Sequence, residues 1–301
     1  MVSKIKENRT PYVAIVILNW NGWQDTLDCL ESLKHISNHP HQVIVVDNAS
    51  TDDSLERLRI ANASTIIFAN RANAGFGAGN NVGIRLAFES GAAFVWLLNN
   101  DTRVEPNTLQ AMLEMALTDS SIGAVGCVLR YMDHPDRVQA WGGGEVNLFL
   151  GSSKHHLGPV LPGKLHYLSA ASILISREAF NAVGGFDEGF FMYWEDVDLS
   201  FRIQRAGFKL KVADSAVVFH KESASTGKNL VRRDESFNFS NARLIRRYSR
   251  FPLISVGLSL VKRVLVRAMR GDWARIRAVL KGTREGWCSS LEMMVPPSDF
   301  R

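Results

Sequence analysis

Two rhythms alternate along the first part of the chain. "YVAIVILNW", "QVIVVDNAS", "STIIFAN" and "AFVWLLNND" are short, nearly continuous apolar runs rich in β-branched residues, the pattern of strands covered on both faces. Between them, Leu27, Leu30 and Leu33 recur at helical spacing, and a polar helix is expected from about Asp52. A glycine-rich turn then leads into a helix over "NNVGIRLAFESG", and "EPNTLQAMLEMAL" opens another. This alternation predicts an α/β fold built on a doubly wound, mostly parallel sheet. Ligands of such sheets lie beyond the carboxyl ends of the strands. Three of these strands end in polar groups: Asn19 and Asn21, Asp47 and Asn48, and Asn99, Asn100 and Asp101.

From about residue 122 the rhythm changes. "IGAVGCVLRYM", "WGGGEVNLFLG" and "HYLSAASILISREAF" predict the shorter strands and wide turns of an added mixed-sheet half. It closes with "GGFDEGFFMYWEDVDLSFRIQRAGFKLKV", where Asp198, Arg202 and Arg205 are expected to share a helical face and Phe201 to lie on the other. A strand "AVVFH" then ends in His220.

With 301 residues and 46% hydrophobic content, the chain can bury a substantial core. Cys29, Cys127 and Cys288 form no C-x-x-C pair, which argues against a disulfide framework or a structural zinc site and fits a reducing compartment. The net charge of +5 is uneven: basic residues crowd from Arg243 onward, against only Asp272, Glu285, Glu292 and Asp299. There "SLVKRVLVRAMRGDWARIRAVLKG" mixes basic and apolar residues at helical spacing. It reads equally as helices packed on the body or as an interfacial helix on anionic lipid. "MVSKIKENRTPY" lacks the apolar segment of a secretory signal, and "FPLISVGLSLVKRVLV" is cut by Lys262 and Arg263, so no spanning helix is expected and a cytoplasmic location is.

Candidate chemistry gathers at the strand ends. Asp101 follows the buried run "VWLLNN" and precedes a proline-led helix, the place of a turn or cap residue. Its position among other oxygen ligands also suits a hard divalent cation that fills its shell with phosphate and water. In "NAGFGAGNN", Gly75, Gly77 and Gly79 give G-x-G-x-G with Asn80 where a dinucleotide fingerprint needs its third glycine. This is a flexible turn, or a loop that lets a diphosphate approach the backbone. "FFMYWEDVDLSFR" sets three acids behind an aromatic wall. They complement a helix N-terminus, and an Asp there is also a candidate general base with a raised pKa. His220 is a buried, hydrogen-bonded residue unless it meets Asp101 in space.

"VAIVILNWNG", "VIVVDNASTD", "NAGFGAGNNVGI", "WLLNNDTRVEP", "GGFDEGFFMYWEDVDLSFRIQRAG" and "FH" occur in the order and spacing of family 2 glycosyltransferases with the GT-A fold. The pattern looks most like the bacterial rhamnosyltransferases of surface polysaccharide synthesis and covers roughly residues 12–225. The resemblance implies a GT-A domain over 1–225, with a nucleotide-binding half over about 12–121 and an acceptor half over about 122–225. A basic helical extension would follow over 226–301. It implies that Asn99, Asn100 and Asp101 stand for the D-x-D motif, with Asn in its first position. Asp101 would then bind Mg²⁺ or Mn²⁺ and Asn100 would lie near the donor ribose. Asp47 matches the acid that bonds the donor's pyrimidine, beside Asn19 and Trp20, and Asn80 of the glycine-rich segment joins the donor-nucleotide group. Asp196 matches the catalytic base, and His220 the histidine that completes the metal site.

The implied activity is inverting, metal-dependent transfer of a sugar from a nucleotide donor. dTDP-L-rhamnose is favoured, and UDP-galactose, UDP-glucose and UDP-galactofuranose are the alternatives. The acceptor would be a cell-surface glycan or lipid-linked saccharide, reached by a protein peripheral to the inner face of the plasma membrane. Two rivals from other classes fare worse. A nicotinamide-dependent reductase is disfavoured by the broken fingerprint and the absence of a Tyr-x-x-x-Lys pair, and a basic nucleic-acid binder leaves the strand-end acids without a purpose.

Overall fold

The computed structural model describes residues 11–36, 39–61, 65–221 and 229–291. Its first part runs β1 (Val13–Asn19), α1 (Trp23–Leu33), β2 (His41–Asp47), α2 (Ser54–Ala61), β3 (Ile66–Ala69), α3 (Phe76–Glu89) and β4 (Phe94–Asn99). β1 pairs in parallel with β2 and β4, and β2 with β3, so these carboxyl ends open on one side. Helices cover both faces, which is why the runs do not alternate in polarity: Ile15 and Ile17 pack with Leu30 and Leu33 of α1, while Val16 and Val46 pack with Ile84 of α3.

Helix α3 starts earlier than the sequence suggests. Only Gly75 belongs to the turn, and Gly77 and Gly79 lie within the helix. Close packing explains them, since a Cβ at Gly79 would stand 2.6 Å from Leu18 of β1. The hydrophobic pattern also sends the chain from β4 straight into a helix. The structure instead interposes β5 (Thr102–Val104) before α4 (Thr108–Leu117). A segment this short has no periodicity of its own and becomes a strand through its partner.

That partner lies in the second half, which runs β6 (Ile122–Tyr131), β7 (Val138–Trp141), β8 (Gly143–Asn147), β9 (Ser152–His155), β10 (Tyr167–Leu168), β11 (Ser172–Ser176), α5 (Arg177–Val183), α6 (Glu195–Arg205) and β12 (Lys209–His220). The main sheet has the order β3-β2-β1-β4-β11-β6-β12-β5, with β7 also on β6, and β8, β9 and β10 form a small sheet of their own. β11 is antiparallel to β4 and β6, while β12 is parallel to β6. The half is therefore mixed, as expected, but it is continuous with the parallel part, and β6 and β12 are its longest strands rather than short ones. A register shift between Ala213 and Val217 breaks the alternation of β12 and hides its first half from the pattern. Antiparallel pairing of β12 with β5 sets His220 opposite Thr102, next to Asp101.

Three helices follow: α7 (Leu230–Tyr248), α8 (Pro252–Ala268) and α9 (Trp273–Cys288). α7 and α9 pack closely, because a Cβ at Gly282 would meet the Glu235 carbonyl at 2.2 Å. Basic side chains turn inward here: Arg267 and Arg275 both pair with the buried Asp234. Among the described residues, no helix is long and apolar enough to cross a membrane.

Candidate active site

A hydrogen-bonded chain of amides crosses three strand ends. Asp47, buried at the end of β2, accepts from Asn19 Nδ2 at 2.8 Å, from the Ser50 amide at 2.9 Å and from the Ser50 hydroxyl at 2.6 Å. Asn19 Oδ1 in turn accepts from the Thr26 hydroxyl at 2.8 Å, and that hydroxyl accepts from Asn100 Nδ2 at 3.1 Å. Asn100 is thereby fixed in place from behind by residues of β1 and α1. A second set holds the glycine-rich segment. Asn48 Nδ2 donates to Asn73 Oδ1 and to the Gly75 carbonyl, at 3.0 and 3.1 Å.

Beyond these strand ends opens a cleft of about 400 Å³. Trp20, Asn48, Asn73, Asn100, Asp101 and His220 line it together with Tyr167, Tyr193, Trp194, Glu195, Asp196 and Phe237. Of the residues singled out in the sequence, Trp20, Asn100, Asp101, Asp196 and His220 meet around this space. Asn19 and Asp47 stand behind it as buried supports. Asn80 is also buried but does not line the cleft: its Nδ2 donates to the Phe76 carbonyl of its own helix at 3.0 Å.

The pairing of β5 with β12 brings His220 Nε2 to 3.2 Å from Asp101 Oδ1. His220 Nδ1 lies 2.9 Å from Gln139 Oε1 on β7, an acceptor, so Nδ1 carries a proton and Nε2 is the ring nitrogen turned to the carboxylate. The set suits a divalent cation, with the outer hydrogen bond of a metal-binding histidine already in place. Among the described residues no group of three or more His, Cys, Asp and Glu could hold a metal. A cation held by the pair would have to take the rest of its shell from substrate phosphate and water.

The N-terminus of α6 borders the same cleft. Tyr193 and Trp194 both adopt left-handed backbone conformations, φ 67° and 68°, which turn the chain sharply into the helix. Burial raises the carboxyls of Glu195 and Asp196 above the ordinary range, Asp196 to about 6. Glu195 is pushed higher still because the Asp196 charge lies beside it. Asp196 is held loosely, by the Val197 amide at 2.8 Å and the Ala170 amide at 3.5 Å. Glu195 Oε2 and Trp194 Nε1 are buried and find no hydrogen-bond partner among the described residues.

The third acid of this turn has a different fate. Asp198 is fully buried and accepts from Arg202 at 2.7 Å, Arg247 at 2.6 Å and the Tyr248 hydroxyl at 2.7 Å. Arg247 also reaches Asp187 at 2.5 Å, so a charged network clamps α6 to α7. Phe201 does not lie on the opposite face of α6 from Arg205 as the sequence suggests: both meet Tyr248, Phe201 edge-on at 5.0 Å and Arg205 over the ring at 4.6 Å. Positions 198, 201 and 205 fall on one side of a 3.6-residue helix.

Strand-end amides, a carboxylate–imidazole pair and a raised carboxyl thus line one cleft. A model described as glycosyl transferase family 2 matches residues 14–184, which carry β1 to β11 and Asp101. The chain belongs to glycosyl transferase family 2. This family 2 chain is 30% identical over 228 residues to the N-acetylglucosaminyl-diphospho-decaprenol L-rhamnosyltransferase of Mycobacterium tuberculosis, covering 66% of this chain and 73% of that protein. Its fold is similar to GalNAc-T7 solved with UDP, GalNAc and Mn²⁺, with TM-score 0.65, 16% identity and coverage of 93% of this chain and 55% of that one. It is also similar to the mannosyltransferase PcManGT of Pyrobaculum calidifontis solved with GDP-Man and Mn²⁺, with TM-score 0.57, 18% identity and coverage of 94% and 77%. The fold is GT-A, and the chain is a glycosyltransferase.

Asn48, a polar strand end in the sequence, also lines the cleft of this family 2 transferase, whereas Asn73, Tyr167 and Phe237 were not singled out. Asn73 had a local signal, as an amide beside Gly75. Tyr167 and Phe237 had none, because they arrive from β10 and α7 and only the fold brings them to the cleft.

Proposed function

We propose that the chain is an inverting, metal-assisted rhamnosyltransferase that moves L-rhamnose from dTDP-L-rhamnose to a hydroxyl of a lipid-linked or cell-surface saccharide. The observation that carries the mechanism is that Asp196 lines the same cleft as Asp101 and His220. The name of the mycobacterial relative, an L-rhamnosyltransferase for N-acetylglucosaminyl-diphospho-decaprenol, supports both the sugar and a lipid-linked acceptor.

Asp101 and His220 would hold Mg²⁺ or Mn²⁺, which supplies countercharge for a leaving diphosphate. Asn100 and Trp20 border the nucleotide side, with Asn19 and Asp47 supporting them from below. Asp196 removes the proton of the acceptor hydroxyl. The freed oxygen attacks the anomeric carbon as its bond to the diphosphate breaks, the nucleotide diphosphate leaves with that electron pair, and configuration inverts. A raised carboxyl fits this base role, since its pKa lies nearer the working pH than that of an exposed aspartate. A lipid-linked acceptor would place the enzyme on the cytosolic surface of a membrane.

Thermal-shift titration with dTDP-L-rhamnose, UDP-galactose, UDP-glucose and UDP-galactofuranose, each with and without Mn²⁺, tests the reading. The largest stabilisation is expected from dTDP-L-rhamnose with metal. A larger response to a UDP-hexose would replace the donor, and no response to any would reject the site.

A further inference from the structure

Helix α8 is polar inside and apolar outside. Its two buried residues are serines: Ser255 bonds the Ser249 hydroxyl at 2.8 Å, and Ser259 donates to Asn241 of α7 at 2.9 Å. Its arginines also point inward, Arg263 onto the Phe237 ring at 4.4 Å and to the Gly151 carbonyl at 3.0 Å, and Arg267 to Asp234. The opposite side carries Ile254, Leu258, Val261, Leu265 and Met269, all exposed and spaced to fall on one stripe. The stripe runs for roughly 23 Å. A helix that packs only on its own chain would bury these residues and expose the serines and arginines, so the outward face is built for an apolar phase.

Charge says which one. Lys262 sits within the stripe, Arg250 and Phe251 at its N-terminal end, and Arg270 and Trp273 at its C-terminal end, all of them exposed. Asp272 and Glu285 are the only acids between Arg250 and Leu291, and Asp272 is engaged as the cap of α9. A second copy of this face would bring its own cations against these. Anionic headgroups around an apolar interior complement both the stripe and its rim, and Trp and Arg suit that boundary. We infer that the outer face of α8, with Trp273 and the basic rim, docks the protein on an anionic lipid bilayer. This deepens the lipid-linked-acceptor reading and rests on it for its purpose: Arg263 of α8 stacks on Phe237, a residue of the cleft, so the inner side of the docked helix adjoins the cleft.

The test uses the full chain and vesicles of phosphatidylcholine, with or without phosphatidylglycerol, in co-sedimentation at low salt. Wild type is expected on the anionic vesicles and not on the neutral ones. Leu258→Gln with Leu265→Gln, and separately Lys262→Glu, should each weaken retention by about tenfold or more while keeping the melting temperature. Absence of retention, or retention unchanged in both variants, overturns the assignment. Concentration-dependent dimers in sedimentation velocity that the double variant abolishes, without vesicle binding, would give the face to a second copy and overturn it as well. Transfer to a water-soluble acceptor is measured in parallel. Its absence in wild type would reject the transferase reading and leave the vesicle result standing, whereas vesicle failure with normal soluble transfer rejects only the docking.

Discussion

The backbone amide of Phe76 donates to the carbonyl of Phe191 at 2.8 Å. This bond ties the start of α3, which lines the cleft, to the loop that turns into α6, the helix that carries Asp196. Gly75 makes the approach possible. Its φ is +93°, and a Cβ there would stand 2.3 Å from the same carbonyl.

Gly75→Ala should therefore destabilise the protein by about 1–3 kcal/mol and lower turnover, since the clash is with backbone and cannot be relieved by a side-chain rotation. Thermal melting and steady-state rates check it. A melting temperature equal to wild type would mean that the two loops are not coupled through this contact.

Arg247→Met should be more damaging to stability than to chemistry. It leaves Asp187 and Asp198 short of a cation in a buried setting, where breaking an ion pair costs about 3–5 kcal/mol. Urea unfolding is the measurement, and a loss below about 1 kcal/mol would show the network to be solvated.

Activity and stability should respond to pH with opposite sign around Asp196. A base must be ionised, so kcat/KM is expected to rise with pH through about 6 and then level off. A carboxyl raised on folding stabilises the fold in its protonated form. That contribution is fully present below the unfolded carboxylate range near pH 4 and is lost as pH rises through about 6, on the order of 2 kcal/mol in all. Glu195 adds the same sign at higher pH. Asp196→Asn should remove most of the lower part of the stability slope. A pH-independent rate between 5 and 8 would contradict the assignment.

Gln139→Leu removes the acceptor that orients His220 without touching Asp101. Binding of dTDP in the presence of Mn²⁺, followed by calorimetry, is expected to weaken by about 10–100-fold, and binding without metal to change little. Equal loss in both conditions would assign His220 to the nucleotide rather than to a metal.

Much of this arrangement was legible from the sequence because β1, β2 and β4 stay apolar until Asn19, Asp47 and Asn99, so their polar ends mark the sheet's mouth. The pairing of His220 with Asp101 was implied by the family resemblance alone and not by local pattern, because it depends on β5, a strand created by its partner. Local pattern also misplaced the start of α3. Glycine is a poor helix former, and nothing near Gly77 and Gly79 announces that Phe186 and Leu18 press against them. The tail's pattern left packing on the body and an interfacial helix equally open, because helical spacing does not tell which cations turn inward, as Arg263, Arg267 and Arg275 do.

The transfer reaction with Asp196→Asn addresses the central claim most directly. The substitution keeps the size of the side chain and an oxygen for the Val197 amide, but the amide cannot take a proton from an acceptor hydroxyl at neutral pH. dTDP binding with Mn²⁺ should stay within about twofold of wild type, while rhamnose transfer falls by about 10²–10⁴-fold. Transfer at the wild-type rate, or loss of nucleotide binding together with transfer, would contradict the base role given to Asp196.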